Sequence, residues 1–156
     1  MEHEKWMQAA VDLSIAGVTS GEGGPFGAIV VKDGQIVGRG NNRVTTTNDP
    51  TAHAEVVAIR DACKNLGTFQ LMGCTVYTSC EPCPMCLGAI YWARPDRVYF
   101  GCTKADAAAS GFDDQFIYDE IEKGFADRKI PFEQVGQSLA IKAFEIWDAK
   151  SDRVDY

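Results

Sequence analysis

The sequence has little that would suit a membrane, a secreted fold or a nucleic-acid groove. Its 156 residues contain no apolar run near the roughly 18 residues that a membrane-spanning helix needs. The start, MEHEKWMQ, is acidic and polar, which is unlike a secretory signal peptide and favours a cytoplasmic location. Positive charge is scarce as well. The net charge of −7 at pH 7 disfavours a polyanionic partner such as tRNA, because that partner usually needs a basic face.

Histidine is rarer than cysteine in this chain, with two against six. Three of the cysteines recur at every third position in TSCEPCPMC, which spans residues 78–86. Without a signal segment, free thiols are expected rather than disulfides. This short stretch could then hold an iron–sulfur cluster, a redox pair or a zinc ion.

The composition, 46% hydrophobic and 24% charged, is typical of one globular domain over residues 1–156. Helix and strand patterns alternate along it, and the KDGQ segment between two apolar runs predicts a β-hairpin. We expect a three-layer α/β fold with helices on both faces of a mixed sheet of about five strands. The fifth strand would be the short FEQVG segment, residues 132–136.

A second long helix is predicted within NDPTAHAEVVAIRDACKNLG. Asp49 or Thr51 is the predicted N-cap, and Gly67 is predicted to end the helix. Its predicted buried stripe consists of Val56, Ile59, Cys63 and Leu66.

Cys83 and Cys86 are spaced i and i+3 where a predicted strand gives way to a helix. The partially positive helix N-terminus stabilises a thiolate, the form that binds metal or attacks a disulfide. The bacterial ferredoxin pattern needs a fourth cysteine after three intervening residues, where this chain has Ile90. A redox protein would use CPMC alone and would leave the rest of the chain unexplained.

Zinc needs a further ligand, and His53 is the better candidate because His3 lies in a terminal stretch that is expected to be solvated. Three protein ligands and a water are typical of catalytic zinc, whereas four ligands close a structural site. Cys80 would close the site, but we expect it to be a buried structural residue. Small buried side chains are also expected for Cys63, Cys74 and Cys102.

The HAE and PCPMC segments match the zinc nucleobase-deaminase signature, H-x-E…P-C-x-x-C. The whole chain resembles the cytidine/deoxycytidylate deaminase superfamily, and within it most resembles the small bacterial guanine deaminases. The resemblance rests on GGPFGAIVV, NDPTAHAEV, TSCEPCPMCLGAIYWA and GFDD.

The resemblance implies hydrolysis of guanine to xanthine and ammonia, in purine salvage or catabolism, with one zinc ion per chain on His53, Cys83 and Cys86. Other deaminases of the superfamily, including tRNA-adenosine deaminases, remain alternatives. Outside the hydrolases, a thiol–disulfide protein or a zinc-stabilised binding module remains open.

Glu55 is the expected catalytic acid and base. Residues i and i+2 of a helix point about 200° apart, so His53 and Glu55 can share a site only at the first turn of their helix. The substrate-binding residues implied by the resemblance are Asn42, Phe26, Ala54, Trp92, Asp114 and Tyr156. The simpler interpretation is a turn residue for Asn42, core packing for Phe26 and Trp92, and a helix cap for Asp114.

The resemblance also implies a homodimer in which residues 139–156, a helix and a tail, are exchanged between subunits. Tyr156 would then reach an active site, that of its own chain or of its partner. Composition alone would predict a disordered tail for KSDRVDY.

Overall fold

The computed structural model describes residues Met1–Tyr156 and divides them into two compact units, Met1–Asp114 and Gln115–Tyr156. None of its helices has the length and apolar character required to cross a membrane. The first unit contains the whole sheet. Its elements in chain order are α1 (Glu2–Thr19), β1 (Gly27–Lys32), β2 (Gln35–Asn41), α2 (Val44–Thr47), α3 (Ala54–Leu66), β3 (Cys74–Cys80), α4 (Pro84–Ala93), β4 (Arg97–Cys102) and α5 (Lys104–Ala109).

The sheet is mixed, as predicted, with the strand order β2-β1-β3-β4. Strand β1 is antiparallel to both β2 and β3, and β3 is parallel to β4. The β1–β2 hairpin turns through Asp33 and Gly34, whose φ angles of 49° and 72° are those that the predicted Asp-Gly turn requires.

Helices cover both faces of the sheet, which confirms the predicted layers. Helix α1 places Trp6 and Ala10 against Ile29 and Tyr77. Helix α3 packs on the opposite face, where its alanines meet residues such as Val30. Side chains along a strand alternate between faces, so β1 and β3 contribute to both cores.

The predicted buried stripe of α3 is confirmed only in part. The residues that α3 buries are Ala54, Glu55, Ala58 and Ala62. Val56, Ile59, Cys63 and Leu66 are half-buried, and the last three pack against the same core. The cause is the close approach of α3 to β2. A Cβ added at Gly40 would lie 2.2 Å from the carbonyl oxygen of Ala54, and one added at Gly38 would lie 2.6 Å from the Cβ of Ala62. Only small side chains fit between these two elements.

The predicted start of α3 is wrong. The N-cap is His53 rather than Asp49 or Thr51. Asp49 instead accepts hydrogen bonds from the amide and the hydroxyl of Thr51 through Oδ1, at 2.8 and 2.6 Å, and so forms a local turn before the helix. Gly67 ends the helix in a left-handed conformation, as predicted.

The second unit contains α6 (Gln115–Glu122), a 3₁₀ turn (Phe125–Asp127) and α7 (Gln137–Ala149). A helix in the C-terminal segment was expected, but the prediction of an FEQVG strand is wrong, so the sheet has four strands rather than about five. Phe132 takes part in a different local structure. Its amide donates to the carbonyl of Phe125, and the Arg128 guanidinium lies 5.0 Å from the ring centroid of each phenylalanine.

We predict that Gly40→Ala lowers the free energy of unfolding by about 1–3 kcal/mol, because the added methyl group overpacks the α3–β2 contact. The matched control is Gly88→Ala on α4, where an added Cβ would meet nothing within 4 Å. That change should leave stability unchanged or raise it by up to about 1 kcal/mol through helix propensity. Denaturant unfolding followed by circular dichroism measures both, and equal effects of the two substitutions would contradict the packing argument.

Candidate metal-dependent active site

His53 stands immediately before the first turn of α3. Its φ of −69° and ψ of 155° are extended, and the helix proper begins at Ala54. The His53 carbonyl nevertheless accepts the first helical hydrogen bond, from the amide of Val57 at 3.0 Å. Because His53 lies outside the helix, its side chain and that of Glu55 can both face the N-terminal end of α3.

Cys83 has the same position on α4. It is the N-cap, with φ of −66° and ψ of 169°, and Pro84 follows as the first helical residue. Proline suits that position because its missing N–H would have no partner within the helix. Cys86 lies in the first turn and is completely buried. The helix N-termini of α3 and α4 therefore supply all the residues of one cluster.

The cluster contains three potential metal donors, from His53, Cys83 and Cys86, whose ligand atoms all lie within 4.8 Å of one another. His53 Nδ1 is 3.5 Å from Cys83 Sγ and 3.6 Å from Cys86 Sγ. In a tetrahedral zinc site, with Zn–S of about 2.3 Å and Zn–N of about 2.0–2.1 Å, nitrogen and sulfur ligands lie about 3.6 Å apart. The donor set therefore fits a zinc ion in both its chemistry and its spacing.

Electrostatics within the cluster favour a metal-binding thiolate. The interaction with the Cys86 side chain, with further help from His53, lowers the pKa of Cys83 to about 4. The interaction with Cys83, together with burial, raises the pKa of Cys86. The pKa of His53 is raised, mainly by its hydrogen bond with Cys83. The two thiols and the imidazole thus form one coupled group, whose sulfur atoms are the soft donors that zinc accepts.

Glu55 lies beside these donors and is only 6% exposed. Its Oε1 accepts a hydrogen bond from Thr78 Oγ1 at 3.1 Å, and its Oε2 accepts one from Cys86 Sγ at 3.3 Å. Burial raises the pKa of the Glu55 carboxyl group, although hydrogen bonds to the carboxylate oppose this shift. A carboxyl group with a raised pKa next to a metal site is suited to accept a proton and to return it.

Cys80 is buried, as predicted, and is not one of the three clustered donors. Its Sγ lies 3.7 Å from the Thr103 carbonyl oxygen, and burial raises its pKa to about 11. Among the other cysteines, Cys74 is buried and Cys63 is half-buried, but Cys102 is exposed, so the prediction of a buried Cys102 is wrong. Cys102 ends the edge strand β4, where few neighbours cover it.

His3 also lies apart from the donor cluster. It is on the exposed surface of α1, and its Nδ1 is 2.8 Å from the Tyr77 hydroxyl.

Asn42 follows β2 and is buried. Its Oδ1 accepts hydrogen bonds from the amides of Gly24 and Val44, at 3.4 and 3.2 Å. This occupies the acceptor of the side-chain amide and leaves Nδ2 as a donor. Ala54 has its methyl group in the core, so its available polar group is the N–H at the first position of α3, which has no acceptor within the helix.

Two other predicted substrate contacts lie in the first unit. Phe26 is half-buried, and its ring meets Phe112 edge-on with the centroids 5.0 Å apart. Asp114 is half-buried, and burial raises the pKa of its carboxyl group, with an added contribution from the charge of Cys83.

Trp92 and Tyr156 are more exposed than Phe26 and Asp114. Trp92 lies near the C-terminal end of α4, about 9 Å along the helix axis from Cys86, and is 62% exposed. Tyr156 ends the second unit and is 72% exposed. Their expected contacts with a substrate stay predictions.

Sequence reasoning missed Thr78 and Phe112. Residues 76–80 of β3 are all buried, so the sequence lacks the polar alternation that would single out Thr78. Phe112 lies in the recognised GFDD segment, but no periodic pattern relates it to Phe26.

An open cluster of one imidazole and two cysteine sulfur atoms, with a buried carboxyl group beside it, can hold a metal ion at a hydrolytic site on an α/β/α fold. The family model for the cytidine and deoxycytidylate deaminase zinc-binding region matches residues 1–102. The chain belongs to this deaminase family.

Two curated relatives and one solved structure place the chain within that family. It is 56% identical to guanine deaminase of Bacillus subtilis over 156 residues, which cover 100% of both chains. It is 39% identical to tRNA-specific adenosine deaminase of the same organism over 110 residues, 70% of this chain and 68% of the relative. An X-ray structure of guanine deaminase from Bacillus subtilis superposes with a TM-score of 0.97 at 56% identity, covering 100% of this chain and 99% of the other.

Proposed function

We propose that this chain is a zinc-dependent guanine deaminase that converts guanine and water into xanthine and ammonia, a step of purine salvage or catabolism. The observation that carries the proposal is the three-donor cluster beside buried Glu55, in a chain similar to a guanine deaminase over its full length. The similarity to the tRNA-specific enzyme extends over 70% of the chain and is weaker. Guanine is therefore the better-supported substrate.

His53, Cys83 and Cys86 would hold one zinc ion through the donors described above. A zinc ion bound there supplies Lewis-acid activation of a water molecule for attack on C2 of the base. The helix ends that carry these residues also stabilise negative charge at the site. The N-termini of α3 and α4 are partially positive, which stabilises the thiolate ligands and the Glu55 carboxylate.

Glu55 moves the protons of the reaction. Its Oε2 lies on the side of the Cys86 sulfur, next to the donor cluster. The carboxylate accepts the proton released by the attacking water and passes it to the ring nitrogen next to C2. It then takes the proton of the hydroxyl now on C2 and transfers it to the amine, which departs as ammonia while the C2 carbonyl forms. The raised pKa of the buried carboxyl group makes both directions of transfer accessible.

The polar groups around the cluster suit the edges of guanine. The Nδ2 of Asn42 and the N–H of Ala54 are donors that match carbonyl oxygen and ring-nitrogen acceptors. Asp114 is an acceptor that matches the N–H groups of the base. Phe26 presents an aromatic surface that can stack on a planar purine, and stacking of this kind contributes about 1–3 kcal/mol per base. Trp92 and Tyr156 would complete the enclosure.

We also propose that two copies of the chain form a dimer by exchanging residues 139–156. Helix α7 exposes several large apolar side chains, namely those of Leu139, Ile141, Phe144 and Ile146. Exposed apolar residues on two faces of one helix favour burial against another surface. A second copy of this chain is the partner that the exchange implies, and Tyr156 would then close an active site against water.

The activity itself is tested by measuring ammonia release from free bases and from nucleosides. Guanine should give stoichiometric xanthine and ammonia. Glu55→Gln should keep zinc and the fold but lose at least about 10²–10⁴-fold in turnover, since positioned acid–base groups contribute that much. Guanine turnover by this variant within tenfold of wild type would remove Glu55 from the mechanism. Activity on tRNA adenosine but not on guanine would favour the tRNA-specific alternative.

The metal proposal predicts one zinc per chain, lost in Cys83→Ala and in Cys86→Ala. Cys80→Ala is the matched control, because the Cys80 thiol lies against the Thr103 carbonyl rather than among the three clustered donors. Elemental analysis of the purified proteins measures the zinc content. If the Cys80 variant also loses its zinc, the site is a closed four-ligand centre.

Deleting residues 151–156 should leave zinc content and thermal unfolding nearly unchanged while guanine turnover falls sharply, because a swapped tail that carries Tyr156 would no longer exclude water. Tyr156→Phe serves as a milder variant that keeps the ring and removes the hydroxyl. Wild-type kcat and KM in the truncated protein would show that the tail is not a lid.

A further inference from the structure

Thr78 lies directly against the buried carboxylate. We propose that Thr78 is a positioning residue for the deamination, because its hydroxyl holds Oε1 of Glu55 and leaves Oε2 to face the metal donors. This role rests on the function proposed above. In this role, Oε1 of Glu55 is fixed by the sheet, whereas Oε2 stays available for proton transfer.

The position of Thr78 makes it a rigid support. It lies on β3, an inner strand, and pairs with Ala28 on one side and with Phe100 on the other. Its side chain is 1% exposed, so packing limits its rotamers. Because β3 side chains alternate between faces, Thr78 shares the face of Val76, which packs in the same core as the alanines of α3. The hydroxyl therefore joins the sheet to the helix that carries Glu55.

The hydrogen bonds of the two carboxylate oxygens are distinct. Oε1 lies 3.1 Å from Thr78 Oγ1, and Oε2 lies 3.3 Å from Cys86 Sγ. A cysteine that binds metal is deprotonated and has no proton to donate. When Cys86 binds metal, the bond from its thiol to Oε2 is therefore lost, whereas the bond from the Thr78 hydroxyl to Oε1 remains. Thr78 is then the side-chain donor that remains hydrogen-bonded to Glu55.

A carboxylate needs such a support because its terminal torsion is soft. The last side-chain torsion of glutamate has a broad, roughly two-fold profile, so packing of the aliphatic part alone does not fix the plane of the oxygens. Proton transfer requires the carboxylate oxygen within hydrogen-bond reach of the water and the ring nitrogen. A misplacement of about 1 Å can cost about 10²-fold in rate.

A purely structural role for the hydroxyl makes a different prediction. Thr78 Oγ1 also lies 3.1 Å from the Cys80 carbonyl oxygen, so the hydroxyl could serve only to satisfy that buried acceptor. In that case, its removal would lower stability without a selective effect on the chemical step. The split between kcat and KM separates the two roles.

The test compares Thr78→Val, which keeps the branched shape and removes the hydroxyl, with Thr78→Ser, which keeps the hydroxyl. Thr78→Val should lower kcat for guanine by about 10–100-fold, with KM within threefold of wild type and zinc content unchanged. Thr78→Ser should retain kcat within about threefold. Thr75→Val is the control for the same substitution on the same strand, and it should leave both constants unchanged. If Thr78→Val does not fold, Thr78→Ala replaces it as the variant without a hydroxyl.

Crystal structures of the zinc-loaded variants give a readout that is independent of turnover. The Glu55 carboxylate should be rotated or present in several orientations in Thr78→Val and single in Thr78→Ser. The inference is overturned if Thr78→Val keeps kcat within about twofold of wild type, if Thr78→Ser is equally impaired, or if Glu55 does not move. Wild-type protein that is inactive on guanine would instead overturn the proposed function, and the orientation of Glu55 would still decide the role of Thr78.

Discussion

The convergence of two helix N-termini on one point is the constraint on which the rest of the site depends. His53 and Cys83 are both N-caps with extended backbones, one before α3 and the other before α4. Each helix end contributes partial positive charge and unpaired amides, which favour thiolates, carboxylates and polar ligands. The height of α3 above the sheet is set by Gly38 and Gly40, which admit it so closely that alanines form its buried face. The packing of α3 on β2 therefore determines where His53 and Glu55 lie.

Burial of Glu55 links this packing to the chemistry. A carboxylate withdrawn from water is unfavourable unless hydrogen bonds compensate, and the same withdrawal raises its pKa toward the range useful for proton transfer. The Thr78 hydroxyl and the N-terminus of α3 stabilise the charged form without cancelling the effect of burial. Burial thus favours the protonated form of Glu55, and the hydrogen bonds favour the charged form. A residue that accepts a proton and later returns it needs that balance.

Sequence patterns predicted the features that depend on local chemistry. The Asp-Gly turn, the layered α/β fold and the cysteine pair at a strand–helix junction all require particular residues at short spacing. The partly misassigned stripe of α3 has another origin, since apolar Val56 and Ile59 looked more suited to a core than Ala58 does, and only the glycines of β2, distant in sequence, reverse that preference. The importance of Thr78 and Phe112 likewise depends on partners 23 and 86 residues away along the chain. Contacts of this kind follow from the register of the sheet and the packing of loops, which a single sequence does not specify.

The residues of the hydrolytic chemistry all lie in the first part of the chain, whereas the proposed substrate contacts continue beyond it. The family model ends at residue 102 and already includes Asn42, Glu55 and all three metal donors. The identity with the guanine deaminase of Bacillus subtilis continues to the last residue, whereas the match to the tRNA-specific enzyme covers 110 residues. Asp114 and Tyr156, the acceptor and the aromatic ring proposed for guanine, both lie beyond residue 102. Activation of water requires the metal donors and the acid–base carboxylate whichever amidine is the substrate. One base is distinguished from another by the groups that contact its polar edge and by those that enclose its ring. We therefore infer that residues 103–156 add to the substrate contacts proposed for Asn42, Phe26 and Ala54, whereas the hydrolytic chemistry lies in the segment before them.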